Sequence, residues 1–140
     1  MAKKVFIVDD DNMYRAVLAQ QFVEMELEVV TFATGEDCLE NGSMPDILLI
    51  DYYLNSEQSD AMNGMATLRR IRERIQDLPV IVLSGRADLS TGSKTDELMA
   101  LLINGNRAEL SRAFRQGAFF YLMKDSKAIK AVKDLVRRLI

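Results

Sequence analysis

Five short apolar runs constrain this chain more than any other feature: KVFIV at 4–8, LEVVTF at 27–32, DILLID at 46–51, PVIVLS at 79–84 and FFYLM at 119–123. Each predicts a strand, KVFIV and DILLID buried ones, and the lack of strict apolar–polar alternation fits a parallel sheet covered on both faces. Helical periodicity fills the intervals. Tyr14, Val17, Leu18, Phe22 and Met25 recur at steps of three and four, predicting an amphipathic helix over 13–26 with Asn12 as its N-cap. A short helix over 35–41 is closed by Gly42, and Asn63-Gly64 opens another that runs to about Arg74, with Met65, Leu68 and Ile71 on one face. Two helical stretches, 95–103 and 106–116, flank Asn104-Gly105, and a last helix over 126–139 turns Ile129, Val132, Leu135 and Val136 inward. Strands alternating with helices predict an α/β fold, a doubly wound five-stranded parallel sheet covered on both faces. No repeat, linker or change of composition divides the 140 residues, so one domain over 1–140 is expected.

Composition narrows the function. An apolar fraction of 49% with 28% charged residues is that of a globular domain and excludes a disordered chain. No apolar run approaches the ~18 residues of a membrane span, and the opening residues turn acidic too soon for a secretory leader. One cysteine, Cys38, excludes an internal disulfide and fits a reducing, cytoplasmic setting. The net charge of −3 predicts no direct nucleic-acid contact. Most telling, the chain has no histidine. Ser-His-Asp and Cys-His catalysis, imidazole zinc sites and a phosphohistidine of its own are therefore excluded.

In an open parallel sheet, ligands bind at the carboxyl ends of the strands. Here those ends carry Asp9, Asp10 and Asp11 after strand one, Asp51 after strand three, Ser84-Gly85 after strand four and Lys124 after strand five. Each residue alone has an ordinary explanation as a turn residue, a helix cap or a solvated charge. Together they crowd carboxylates that raise one another's pKa unless a cation neutralises them. Lys124 supplies one positive charge. The remainder calls for a hard divalent ion on oxygen ligands, for which Mg2+ is the usual choice. Metal, amine and hydroxyl would absorb charge on phosphoryl oxygens, and Asp51, alone at the end of its strand, is the natural nucleophile.

With these residues in view, the chain resembles the receiver domains of two-component response regulators over essentially its whole length. VFIVDDD resembles the family's opening strand and acid pair, DILLIDYYL its phosphoacceptor strand, and PVIVLSG the strand bearing a Ser or Thr. The stretch AFRQGAFFYLMK resembles the closing signature, with an aromatic three residues before the lysine. The resemblance implies a flavodoxin-like receiver fold in which Asp51 takes a phosphoryl group from a histidine kinase or phosphotransfer protein. It implies Mg2+ on Asp10, Asp51 and the backbone carbonyl of Tyr53, with Asp9 acting through water. Ser84 and Lys124 would contact the phosphoryl oxygens, and Tyr121 would turn inward as the switch aromatic when Ser84 moves. The chain would be no conventional enzyme, catalysing only its own aspartyl phosphorylation and dephosphorylation. Phosphorylation would then alter a surface offered to a downstream output protein or domain, or to a second copy as a homodimer.

The chain also departs from the family. Asn55 replaces a proline, residues 56–62 lengthen the segment before Gly64, Asp125 follows the lysine, where Lys-Asp-Ser makes a helix cap, and a longer insertion falls within 86–112. That insertion predicts a polar loop followed by an extra helix bearing Leu98, Met99, Leu101 and Leu102. The helix packs beside strand four or covers the face around Tyr121. Tyr53 and Arg86 are expected to flank the site entrance and set the phosphate's lifetime. Two alternatives compete: a degenerate receiver that only binds a partner, and a haloacid-dehalogenase-type phosphatase using the Asp9-Asp10-Asp11 spacing. The phosphatase reading leaves Asp51 without a role. A flavin-binding protein is disfavoured because three aspartates would repel the cofactor's phosphate.

Overall fold

The computed structural model describes residues 2–54, 63–85 and 95–140. Asn55, the 56–62 segment, Arg86 and the polar loop expected over 86–94 lie outside the described residues. In chain order the elements are β1 (Lys4–Val8), α1 (Asn12–Glu24), β2 (Glu28–Phe32), α2 (Gly35–Glu40), β3 (Ile47–Asp51), α3 (Gly64–Arg74), β4 (Val80–Ser84), α4 (Thr95–Ile103), α5 (Arg107–Arg115), β5 (Phe120–Met123) and α6 (Ala128–Leu139).

The five strands form one parallel sheet in the order β2-β1-β3-β4-β5. Its three inner strands are the ones buried almost end to end, whereas the edge strand β2 exposes Glu28 and Thr31. Successive residues still point to opposite faces. Val5, Ile7, Leu49, Ile81, Leu83 and Phe120 belong to one buried cluster, with Leu18 and Phe22 of α1, Val132 and Val136 of α6, Leu98 of α4 and Phe114 of α5. Phe6, Val8, Leu48, Ile50, Val82 and Tyr121 belong to a second, with Cys38 of α2 and Leu68 and Ile71 of α3. Apolar contact on both faces is the reason the strand sequences do not alternate.

Element ends depart from the sequence reading in informative ways. The N-cap of α1 is Asp11, not Asn12. Its carboxylate accepts from the Met13 and Tyr14 N–H groups at 3.0 and 3.1 Å. The turn out of β1 places it there, because Asp9 Oδ1 accepts the Asp11 N–H at 2.9 Å. Val17 is 47% exposed rather than inward. The covered stripe of α1 runs Tyr14, Leu18, Phe22, Met25, and Val17 lies one position off it. Likewise α6 starts at Ala128, with no side-chain cap at Lys127, since Asp125 spends its carboxylate on the Lys127 N–H in the preceding turn. The end of α5 is set by Gly117, whose φ of +96° lets the Ala118 N–H return to the Ala113 carbonyl at 3.0 Å.

The extra helix α4 is present, with Leu98 fully buried. Leu98 and Leu102 join the buried cluster that holds Ile81 and Leu83 of β4 and Phe120 of β5, and the start of the helix is tied to β5. Thr95 Oγ1 accepts the Tyr121 N–H at 2.8 Å, which occupies part of the outer edge of the sheet's last strand.

Candidate functional site

From β1 the chain winds to β2 on one side, and from β3 through β4 to β5 on the other. The order therefore reverses between β1 and β3, and a crevice opens at the carboxyl ends of those two strands. Asp9 and Asp51 stand on either side of it. One carboxylate oxygen from each of Asp9, Asp10 and Asp51 lies within 4.8 Å of the other two. Asp9 is only 1% exposed and Asp51 6%, while Asp10 faces solvent.

Each buried acid is held by backbone as well as by charge. Asp9 Oδ1 takes the Asp11 N–H, and its Oδ2 accepts from Lys124 Nζ at 2.8 Å. Asp51 Oδ1 accepts the Tyr53 N–H at 3.2 Å, and its Oδ2 stands 3.4 Å from the same ammonium. Lys124 reaches this position because its own N–H donates to the Ser84 carbonyl at 2.7 Å, which continues the β4–β5 ladder past the end of β5. That bond fixes Ser84, itself fully buried, beside the lysine. Tyr121 is buried on the opposite sheet face from Phe120, among the residues that pack on α2 and α3.

Three residues that the sequence reading did not assign to the site complete it. Arg15 Nη1 donates to the Asp9 carbonyl at 2.6 Å and its Nη2 to Asn12 Oδ1 at 2.6 Å, locking the turn that carries the acids. Gly64 brings the start of α3 so close that a Cβ there would collide with the Asp51 carbonyl oxygen. Tyr14 lays its ring under Lys124, with Nζ 4.6 Å from the centroid. Its place on the covered stripe of α1 disguised it as an ordinary core residue. Only its position in the first turn after the acid triplet hints that it borders the crevice.

The electrostatics are unbalanced. Burial, then the neighbouring Asp9, pushes the Asp51 carboxyl from 3.8 up to about 6, against the pull of Lys124 and the Tyr53 N–H. Burial disfavours the Lys124 ammonium, but the hydrogen bond and charge of Asp9, followed by those of Asp51, outweigh it and raise its pKa. Burial likewise raises the Tyr14 phenol, with Lys124 opposing. Among the described residues, one ammonium thus faces three carboxylates. A crowded set of hard oxygen donors, short of positive charge and open to water on the Asp10 side, fits a small divalent cation such as Mg2+. Asp11 is outside this group: its carboxylate caps α1, so the Asp9–Asp11 pair of the phosphatase alternative does not converge on one centre.

The chain is similar to known proteins. The family described as "Response regulator receiver domain" matches residues 5–100. The DNA-binding transcriptional regulator NtrC of Escherichia coli (strain K12) is 33% identical over 138 residues, which is 97% of this chain and 24% of that protein. The Regulator of RpoS of the same organism is 27% identical over 97% of this chain and 34% of its own length. The chain thus spans about a quarter to a third of these curated relatives. Among solved structures, the chemotaxis response regulator CheY4 of Vibrio cholerae superposes with a TM-score of 0.69 at 19% identity, covering both chains fully. TrrA of Thermotoga maritima, solved in complex with Mg(2+)-BeF, superposes with a TM-score of 0.68 at 21% identity over 99% of each chain. With the family match covering more than half of the residues and the site at the sheet's switch point, the chain belongs to the response regulator receiver domains.

Proposed function

We propose that this receiver, acting as one unit over 1–140, accepts a phosphoryl group on Asp51 and uses the modification to alter a partner-binding surface. The observation that carries the reading is the Asp51 carboxylate itself. It is buried, raised in pKa, within 3.4 Å of Lys124 Nζ and clustered with Asp9 and Asp10 at the switch point. An Asp51 carboxylate oxygen attacks the phosphorus of a phosphohistidine. The P–N bond breaks, its electron pair returns to the imidazole, and an aspartyl phosphate forms. Water later attacks that phosphorus and loses a proton to solvent, the P–O bond to Asp51 breaks, the carboxylate is regenerated and inorganic phosphate is released. The donor histidine belongs to a histidine kinase or phosphotransfer protein, since this chain has none.

Asp10, Asp51 and the Tyr53 carbonyl would hold Mg2+, with Asp9 acting through water. The ion supplies positive charge to the phosphoryl oxygens. Lys124 Nζ and the Ser84 hydroxyl hold the remaining oxygens, and Ser84 and Tyr121 relay the change to the outer face of β4–β5. The relay would reach a downstream output protein or domain, or a second copy of the chain. Among the described residues no helix is long and apolar enough to cross a membrane, and a cytoplasmic location fits the lone, buried thiol. Incubation with acetyl phosphate and Mg2+ should add one phosphoryl mass, absent in Asp51→Asn. A mass shift that survives this substitution overturns the assignment, and no shift in the wild type favours a receiver that only binds.

A further inference from the structure

The Lys124 ammonium has three hydrogens to place and accepts none. Two directions face Asp9 and Asp51. A third is closed by the Tyr14 ring, whose centroid lies 4.6 Å from Nζ, inside the ~6 Å reach of a cation–π contact. Tyr14 is well placed to serve as a fixed floor. Its N–H is bound by the Asp11 cap at 3.1 Å, and its ring packs against the buried cluster shared by α1, α6 and the sheet. Among the described residues the buried phenol oxygen has no hydrogen-bond partner. A buried hydroxyl in that state costs stability rather than adding to it, so the useful part of the side chain is its π face.

The demand on Lys124 changes during the reaction. Before transfer it serves Asp9 and Asp51. Once Asp51 is phosphorylated, the ammonium must also meet an oxygen farther out, beyond the former carboxylate. A directional hydrogen-bond acceptor beneath it would resist that shift, and a water there would compete with the phosphoryl oxygen. An aromatic face does neither: its attraction is broad in angle, and it excludes water.

We propose that Tyr14 is a positioning residue for phosphoryl transfer, its ring seating the Lys124 ammonium between Asp9 and Asp51 and guiding it to the phosphoryl group. The inference rests on Asp51 being the acceptor. The test uses the full chain with 13C-labelled lysine and the variants Tyr14→Phe and Tyr14→Leu. In the wild type and Tyr14→Phe, the ring should shift the Lys124 ε-methylene protons upfield, and in Tyr14→Leu they should return to the envelope of the other lysines. At saturating acetyl phosphate and Mg2+, Tyr14→Phe should be phosphorylated within about twofold of the wild-type rate. Tyr14→Leu should be slower by about five- to tenfold, with the half-saturating acetyl phosphate concentration unchanged. Should the Leu variant fail to fold, Tyr14→Met removes the π face while keeping a long apolar side chain, and it carries the same expectation. Wild-type rates in the Leu or Met variant, or an ε-methylene shift that survives them, overturn the inference while leaving Asp51 as acceptor. A wild type that gains no phosphoryl mass overturns the acceptor assignment and the inference together.

Discussion

Replacing the proposed nucleophile should make the metal-free protein more stable. Ionised Asp51 is held beside Asp9 in a poorly solvated crevice, and its carboxyl is displaced from 3.8 to about 6. At about 1.4 kcal/mol per pKa unit, ionisation at neutral pH costs the fold about 3 kcal/mol before screening. Water entering past exposed Asp10 screens part of this, leaving about 1–2 kcal/mol. Asp51→Asn removes the charge while keeping an oxygen for the Tyr53 N–H. It gives up the longer contact with Lys124 at 3.4 Å, but the shorter one to Asp9 at 2.8 Å remains. In urea melts with a chelator at pH 7.5, the variant should gain about 1–2 kcal/mol, or roughly 3–8 °C in Tm.

The pH dependence tests the cause. A carboxyl with a raised folded pKa contributes stability that is fully present below its unfolded value near 3.8 and is lost as pH rises through about 6. The wild type should therefore weaken between pH 5 and pH 7.5 by more than Asp51→Asn does, and the gap between them should open over that window. Mg2+ should close it again by stabilising the wild type more than the variant. A variant less stable than the wild type in chelator at pH 7.5, or a gap of equal size at pH 5, refutes the reasoning.

Three further outcomes follow from the same geometry. Lys124→Met strands the buried Asp9 carboxylate and should cost about 3 kcal/mol in chelator, with part restored by Mg2+; urea melts in the two buffers check this, and equal losses in both would contradict it. Gly64→Ala forces a methyl against the Asp51 carbonyl and should cost about 1–3 kcal/mol, whereas Gly42→Ala, with open space around it, should be nearly neutral in the same melts. Burial pushes the Cys38 thiol up to about 12 despite Arg74, so a thiol reagent at pH 8 should label it only as the chain unfolds in urea; rapid labelling of the native protein would contradict that burial.

The strands were legible to within a residue because burial on both faces erases alternation, and unbroken runs such as ILLI and VIVL are hard to mistake. The collection of Asp9, Asp10, Asp51, Ser84 and Lys124 at one edge was legible for a related reason: parallel strands point their carboxyl ends the same way. What the sequence hid depends on pairs far apart in it. Asp11 and Asn12 are equally good caps on paper, and the choice falls to a turn in which Asp9 claims the Asp11 N–H. Tyr14 satisfies the core periodicity of α1 whether or not a lysine 110 positions later lies over it. The tie of α4 to β5 is a bond from the Tyr121 N–H to Thr95, and nothing in the apolar residues of α4 announces it. Gly64 reads as a helix opener, yet its φ is not left-handed. It is required for space, because α3 starts against the carbonyl of Asp51.

The same charge arithmetic bears on how phosphorylation could act at a distance. Before transfer, one lysine is shared between two buried acids, and already it cannot keep Asp51 from being raised toward 6. Adding a phosphoryl group to Asp51 puts up to two negative charges where there was one. Lys124 cannot satisfy that group and remain centred on Asp9 as well. Some donor must move, and Ser84 is the near candidate: its carbonyl is bonded to the Lys124 N–H, and it ends the strand whose neighbour carries Tyr121. The outer edge of that neighbour, β5, is held in turn by Thr95 at the start of α4. If Ser84 is the group that responds, its shift would reach Tyr121 through the sheet and α4 through one hydrogen bond. On the proposed function, α4 would then lie on the route by which the charge imbalance is read out.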